Sequence, residues 1–160
     1  MMIGISAYTW LDNLALFIAR GFGSGLSPVA PGTFGTLLGA LLAPFLFLPL
    51  SFPARLVVLL LLFMVGCWAA GRAEVLLGRK DPGEVVIDEI FGLWLCLLPF
   101  ASVSTTGLVW AFILFRIFDI AKPWPVRQSE YWLPGGGGIM LDDGFAGLWA
   151  MIVFALGYFF

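Results

Sequence analysis

The chain has 160 residues, of which 61% are hydrophobic and only 11% charged, and its mean hydropathy is +1.03. Soluble domains hold roughly 45–50% apolar residues, and one domain of this size has no core able to hide the surplus, so a soluble globular protein is excluded. The net charge of −2 without long single-sign runs argues against a nucleic-acid partner, and the absence of histidine removes imidazole bases, phosphohistidine and His metal ligands.

At the N-terminus, MMIGISAYTWLDN lacks a basic leader and carries Asp12, unlike a cleaved signal peptide. Residues 5–19 predict an amphipathic helix at the membrane interface, with Trp10 as its anchor. Five apolar stretches follow, at 34–50, 55–71, 89–101, 106–119 and 144–160. Several are shorter than the ~20 residues needed to cross a ~30 Å hydrocarbon core, so they predict short spans or a locally thinned bilayer. The expected fold is an all-α integral membrane protein, a single domain over 1–160, with about five short membrane helices beside the interfacial one. Cys67 and Cys96 both lie in apolar runs and read as buried thiols.

The links between the stretches differ in kind. LSFPA at 50–54 and SVSTTG at 102–107 are short and nearly uncharged, whereas 20–33, 72–88 and 116–143 carry almost all the charge. If the stretches alternate in direction, the three charged links share one side. Arg20, Arg72, Arg79, Lys80, Arg116, Lys122 and Arg127 then face Arg55 alone on the other. The positive-inside rule makes the charged side cytoplasmic.

Carboxylates collect on that same side. Asp88 and Asp142 precede apolar runs, where an N-cap would explain them. The pairs Asp88–Glu89 and Asp142–Asp143, together with Asp119, exceed what capping needs, and acids near a bilayer are costly unless paired or bound to cations. Asp119 has Arg116 one turn before it and Lys122 one turn after, a pattern open to two readings: a neutralised helix end or a ligand beside phosphate-binding cations. Oxygen-only sites of this type suit Mg²⁺ with water and substrate phosphate. Arg116, Lys122 and Arg127 would add anion contacts. The tetraglycine at 135–138 reads either as a flexible turn or as a place of close backbone approach.

Other phosphate chemistries lack their motifs. There is no GxxxxGK[ST] loop, no DxD pair and no DGxxAR segment, and Cys67 and Arg72 are one residue too close for a cysteine phosphatase signature.

Four segments, taken together, resemble one family. These are Ala30-Pro31-Gly32-Thr33-Phe34-Gly35-Thr36, Asp88-Glu89-Ile90-Phe91-Gly92, Phe115-Arg116-Ile117-Phe118-Asp119-Ile120-Ala121-Lys122-Pro123, and Gly138-Ile139-Met140-Leu141-Asp142-Asp143 with Ala146-Gly147 after it. They are similar, in order and spacing, to phosphatidylglycerophosphatase A, from about Gly21 to the C-terminal helix. The resemblance implies a Mg²⁺-dependent lipid phosphatase of the bacterial inner membrane, converting phosphatidylglycerophosphate to phosphatidylglycerol and phosphate. It implies Asp88, Glu89, Asp119, Asp142 and Asp143 as catalytic metal ligands, and Thr33, Arg116, Lys122 and Arg127 as substrate contacts. A phosphatase for another membrane phospholipid and a non-enzymatic ion-binding protein are the alternatives. Soluble all-helical relatives exist, so the expectation of a membrane protein rests on composition.

Overall fold

The computed structural model describes residues 9–158, and every regular element among them is helical. Helix α1 spans Trp10–Ala19, α2 Pro31–Leu46, α3 Phe52–Leu77, α4 Ile87–Leu97, α5 Thr105–Ala121, α6 Val126–Ser129 and α7 Gly136–Tyr158, with a 3-10 segment at Gly21–Leu26. Residues 5–8 of the expected N-terminal helix lie outside the described residues.

Each boundary has a local cause. Thr9 and Asp12 cap α1 reciprocally, the Thr9 backbone N–H donating to Asp12 Oδ2 at 2.9 Å and the Asp12 N–H to Thr9 Oγ1 at 3.2 Å. Pro31 occupies the first turn of α2, where its missing N–H costs nothing. Gly78 ends α3 in the left-handed region at φ 64°. Ser104 Oγ accepts the Gly107 N–H at 3.1 Å to start α5, and Pro123 bars its continuation beyond Lys122.

Helix α4 is the axle of the bundle: ten of its eleven residues are buried, and α2, α3, α5 and α7 pack around it. Trp94 of α4 donates its indole N–H to the Gly39 carbonyl at 2.9 Å and stacks on Phe47. The outer faces are apolar instead of polar. On α3, Leu60, Leu61 and Met64 are each at least 55% exposed, and on α2, Phe45 is 77% exposed. Monomeric soluble proteins rarely expose apolar surface of this extent.

Among the described residues two helices, α3 with 26 residues and α7 over Gly136–Gly157, are long and apolar enough to cross a membrane. At 1.5 Å per residue they reach roughly 39 and 33 Å, whereas α2 and α5 reach about 24–26 Å and α4 about 16 Å.

The ends of the bundle divide by charge. Arg20 meets Glu84 at 2.8 Å and Lys80 meets Glu130 at 2.9 Å, joining the three charged links at one end. At the other end Arg55, 4% exposed, donates to backbone carbonyls that close α2 and α4: Leu50 at 3.1 Å, Leu98 at 3.2 Å, Phe100 at 2.5 Å, Ala101 at 3.3 Å, and Leu48. The one basic residue opposing the charge bias is therefore an internal plug against two helix C-termini, whose dipoles favour a cation. Arg55→Met is expected to lower unfolding stability in detergent by about 3 kcal/mol or more, because several buried carbonyls lose their donor. Wild-type melting behaviour of that variant would contradict this role.

Candidate active site

The site is built where α4 and α7 touch. A Cβ on Gly147 of α7 would overlap the backbone carbonyl of Gly92 on α4, and one on Gly92 would stand 2.6 Å from the Asp143 carbonyl oxygen. Only glycines permit this approach. Gly92 is one turn beyond Asp88, and Gly147 one turn beyond Asp143, so the contact sets the two acids facing each other. The tetraglycine serves a similar purpose. Gly135 forms a turn at φ 57° and the other three open α7, with Gly136 against the Cys67 carbonyl and the Gly71 amide of α3.

Asp88, Glu89 and Asp143 each offer a carboxylate oxygen, and these oxygens lie within 4.8 Å of one another. All three residues are buried, at 6%, 9% and 3% exposed. Asp88 Oδ1, Glu89 Oε2 and Asp143 Oδ2 have no hydrogen-bond partner among the described residues. Buried polar atoms are rarely left in that state, and like charges so close cannot all ionise without compensation. An all-oxygen donor set of this kind fits a hard divalent cation such as Mg²⁺, with room in its shell for water and substrate oxygen.

Neither acid pair serves as an N-cap. Val86 is the N-cap of α4, and Asp142 and Asp143 lie inside α7, which starts six residues earlier than Asp142.

Asp119 and Asp142 stand one step out, each holding a cation. Arg116 donates through Nη1 to Asp119 on the same face of α5, and the same nitrogen lies 3.7 Å from Glu89 Oε1. Asp119 also borders Asp143. Lys122 pairs with Asp142 and makes no ion pair with Asp119, one turn before it. Its left-handed backbone, φ 44°, caps α5 and sends the ammonium to Asp142. Burial works against the Lys122 charge, but the hydrogen bond and charge of Asp142 outweigh it and raise its pKa. Asp142 Oδ1 accepts the Asp143 backbone N–H at 3.0 Å, tying the paired cation to the central cluster.

The start of α2 forms another wall. A Cβ on Gly32 would collide with Glu89 Oε1 and come within 3.1 and 3.3 Å of the Arg116 guanidinium nitrogens. Thr33, the next residue, is half-buried in the same turn. Thr36, which motif spacing alone did not single out, is fully buried; its hydroxyl donates to the Gly32 carbonyl at 2.8 Å and lies 3.5 Å from Arg116 Nη1. A second Thr one turn after Thr33 was the available signal. Arg127 is not gathered into the cluster. It is exposed on α6 and makes no ion pair with any of the described residues.

A buried oxygen-donor cluster, edged by fixed cations at the charged end of an apolar helix bundle, has the make-up of an enzyme site for an anionic substrate. Residues 17–158 match the family described as Phosphatidylglycerophosphatase A. The chain is 41% identical to phosphatidylglycerophosphatase A of Haemophilus influenzae, covering 92% of this chain and 91% of that protein. It is 37% identical to phosphatidylglycerophosphatase A of Escherichia coli, over 92% and 86% of the two chains. It is also 44% identical to a putative phosphatidylinositol-3-phosphatase of Bacteroides thetaiotaomicron, over 89% and 92%. No solved structure matches. The chain belongs to the phosphatidylglycerophosphatase A family, and with it to the phosphatases.

Proposed function

We propose that the protein hydrolyses the terminal phosphomonoester of phosphatidylglycerophosphate, releasing phosphatidylglycerol and phosphate, with Mg²⁺, at the cytoplasmic face of a bacterial inner membrane. The observation that carries this reading is the set of unpartnered buried oxygens on Asp88, Glu89 and Asp143 beside the Arg116 guanidinium. In it, all five apolar helices lie in the bilayer, the short ones in a locally thinned region, and the chain is multi-pass. The charge bias and the apolar outer faces support that placement.

Asp88, Glu89 and Asp143 would hold the metal. When bound, Mg²⁺ supplies charge neutralisation at the phosphoryl group and lowers the pKa of bound water. Arg116, fixed by Asp119 and Thr36, presents its guanidinium to the phosphoryl oxygens, and Lys122, fixed by Asp142, adds a point charge. Preset donors of this kind need no reorganisation as charge moves onto the leaving oxygen. Arg127, exposed and unpaired, attracts the anionic headgroup without touching the reacting atoms. Arg116→Lys is therefore expected to lower kcat/KM by about a hundredfold, while Arg127→Lys changes it by less than about threefold. Equal effects in folded protein would refute this division.

Phosphate release from phosphatidylglycerophosphate in detergent micelles tests the reading. Turnover should disappear with EDTA and return with Mg²⁺; metal-independent turnover, or none, would sink it. The similarity to a putative phosphatidylinositol-3-phosphatase supports a second reading, the same chemistry on phosphatidylinositol 3-phosphate. Preference for that lipid in the same assay would establish it.

A further inference from the structure

We propose that one acyl chain of the lipid substrate lies in the apolar seam that runs from the gap between α2 and α5 along α5 to Arg116. This rests on the reading of the protein as a lipid phosphatase and adds where the lipid tail is held. Two open grooves, of about 350 and 440 Å³, meet at Phe112, which lines both; the second is a shallow depression along α5. The first lies between Ala40 and Leu41 of α2 and Leu108 of α5; the second continues along α5 past Ile113 and Ile117. Apart from Thr105 at its far end, the only polar side chain lining the seam is Arg116.

Arg116 is what distinguishes this seam from the other apolar surfaces. Its Nη1 faces Glu89 and Asp119 in the acidic site, while its Nε has no partner. One residue thus belongs to both the apolar groove and the phosphate site, matching a molecule with a phosphate at the end of a hydrocarbon tail. The comparable groove between α5 and α7, lined by Trp110 and Phe154, touches none of the site residues. Length agrees as well. From Arg116 to Leu108 is eight residues of helix, about 12 Å, within the half-thickness of a ~30 Å hydrocarbon core. A chain lying there would hold the headgroup at the carboxylates without leaving its leaflet.

The seam should make the enzyme prefer long-chain over short-chain substrate. Ala40→Trp fills its α2 wall and should lower the ratio of kcat/KM for dipalmitoyl to dibutanoyl phosphatidylglycerophosphate by about tenfold, the equivalent of roughly two methylenes displaced. Leu60→Trp, on the outer face of α3 and away from the seam, should leave that ratio at its wild-type value. An unchanged ratio in active Ala40→Trp protein would overturn the proposal. A second measurement needs no variant: wild-type protein in EDTA is photolabelled with phosphatidylglycerophosphate carrying a diazirine in its acyl chain. Label concentrated at Ala40, Leu41, Leu108 and Phe112 supports the seam, and label spread evenly over the outer face of α3 overturns it. Seam labelling in a protein that never hydrolyses the lipid would support the seam and refute the phosphatase reading, so the two failures separate.

Discussion

Asp143→Asn is expected to lower turnover by about a thousandfold while leaving thermal stability in EDTA unchanged or raised. The opposed signs follow from the geometry. Asp143 is 3% exposed, its Oδ2 has no partner, and it crowds Asp88 and Glu89. Without a cation, exchanging one crowded carboxylate for an isosteric amide relieves like-charge repulsion in a buried site, and each kcal/mol relieved raises Tm by roughly 2–4 °C. With substrate and metal, the same exchange would remove one of the three proposed metal ligands, a loss of about 4 kcal/mol in transition-state stabilisation. A purely structural Asp143 would behave otherwise, losing stability and activity together. Asp142→Asn provides the contrast, because it strips the half-buried Lys122 ammonium of its partner. That variant should lose stability as well as activity. Turnover and melting temperature of the two purified variants, with and without Mg²⁺, check both signs.

The second large effect is expected at a residue that carries no charge itself. Gly147→Ala places a methyl group against the Gly92 carbonyl, which is backbone and cannot rotate away. Helices α4 and α7 must separate, and Asp88 and Asp143 separate with them, each one helical turn from the contact. A displacement near 1 Å at a catalytic site can cost about a hundredfold in rate, and overpacking of this kind removes about 1–3 kcal/mol of stability. Kinetics should therefore suffer more than folding does. Gly157→Ala, also on α7, meets nothing within 4 Å and should keep wild-type kinetics. Wild-type kinetics in Gly147→Ala as well would show that the glycine contact does not set the carboxylate spacing.

Much of this arrangement was legible in the sequence, for physical reasons. Apolar runs reported helices because a long greasy segment has few other ways to satisfy its backbone. Scarce charges reported one end of the bundle because they are expelled from apolar surroundings, and Asp88, Glu89 and Asp143 stood out by their number. What stayed hidden depended on partners distant in the chain. The run at 89–101 reads like its neighbours, yet α4 is the buried axle, since apolar composition does not distinguish contact with lipid from contact with protein. Helix α3 runs on to Leu77 through Arg72, which pairs with Asp12 of α1 at 2.6 Å, a contact across sixty residues. Arg55 looked like an exception to the charge bias and is a plug for carbonyls of two other segments. Lys122 has the spacing to share a face with Asp119, but a left-handed cap redirects it to Asp142. Among the described residues α3 and α7 are long and apolar enough to cross a membrane, whereas α2, α4 and α5 are shorter, ended by caps and turns that hydropathy alone does not locate.

The central claim is that Asp88, Glu89 and Asp143 together hold a divalent cation. Titration of the detergent-purified protein with Mn²⁺, followed by electron paramagnetic resonance and competed with Mg²⁺, tests it without reference to turnover. Saturable binding is expected for the wild-type protein, weakened by about a hundredfold or more in Asp143→Asn and in Asp88→Asn, and undisturbed in Arg127→Lys. Wild-type Mn²⁺ affinity in folded Asp143→Asn and Asp88→Asn would contradict it.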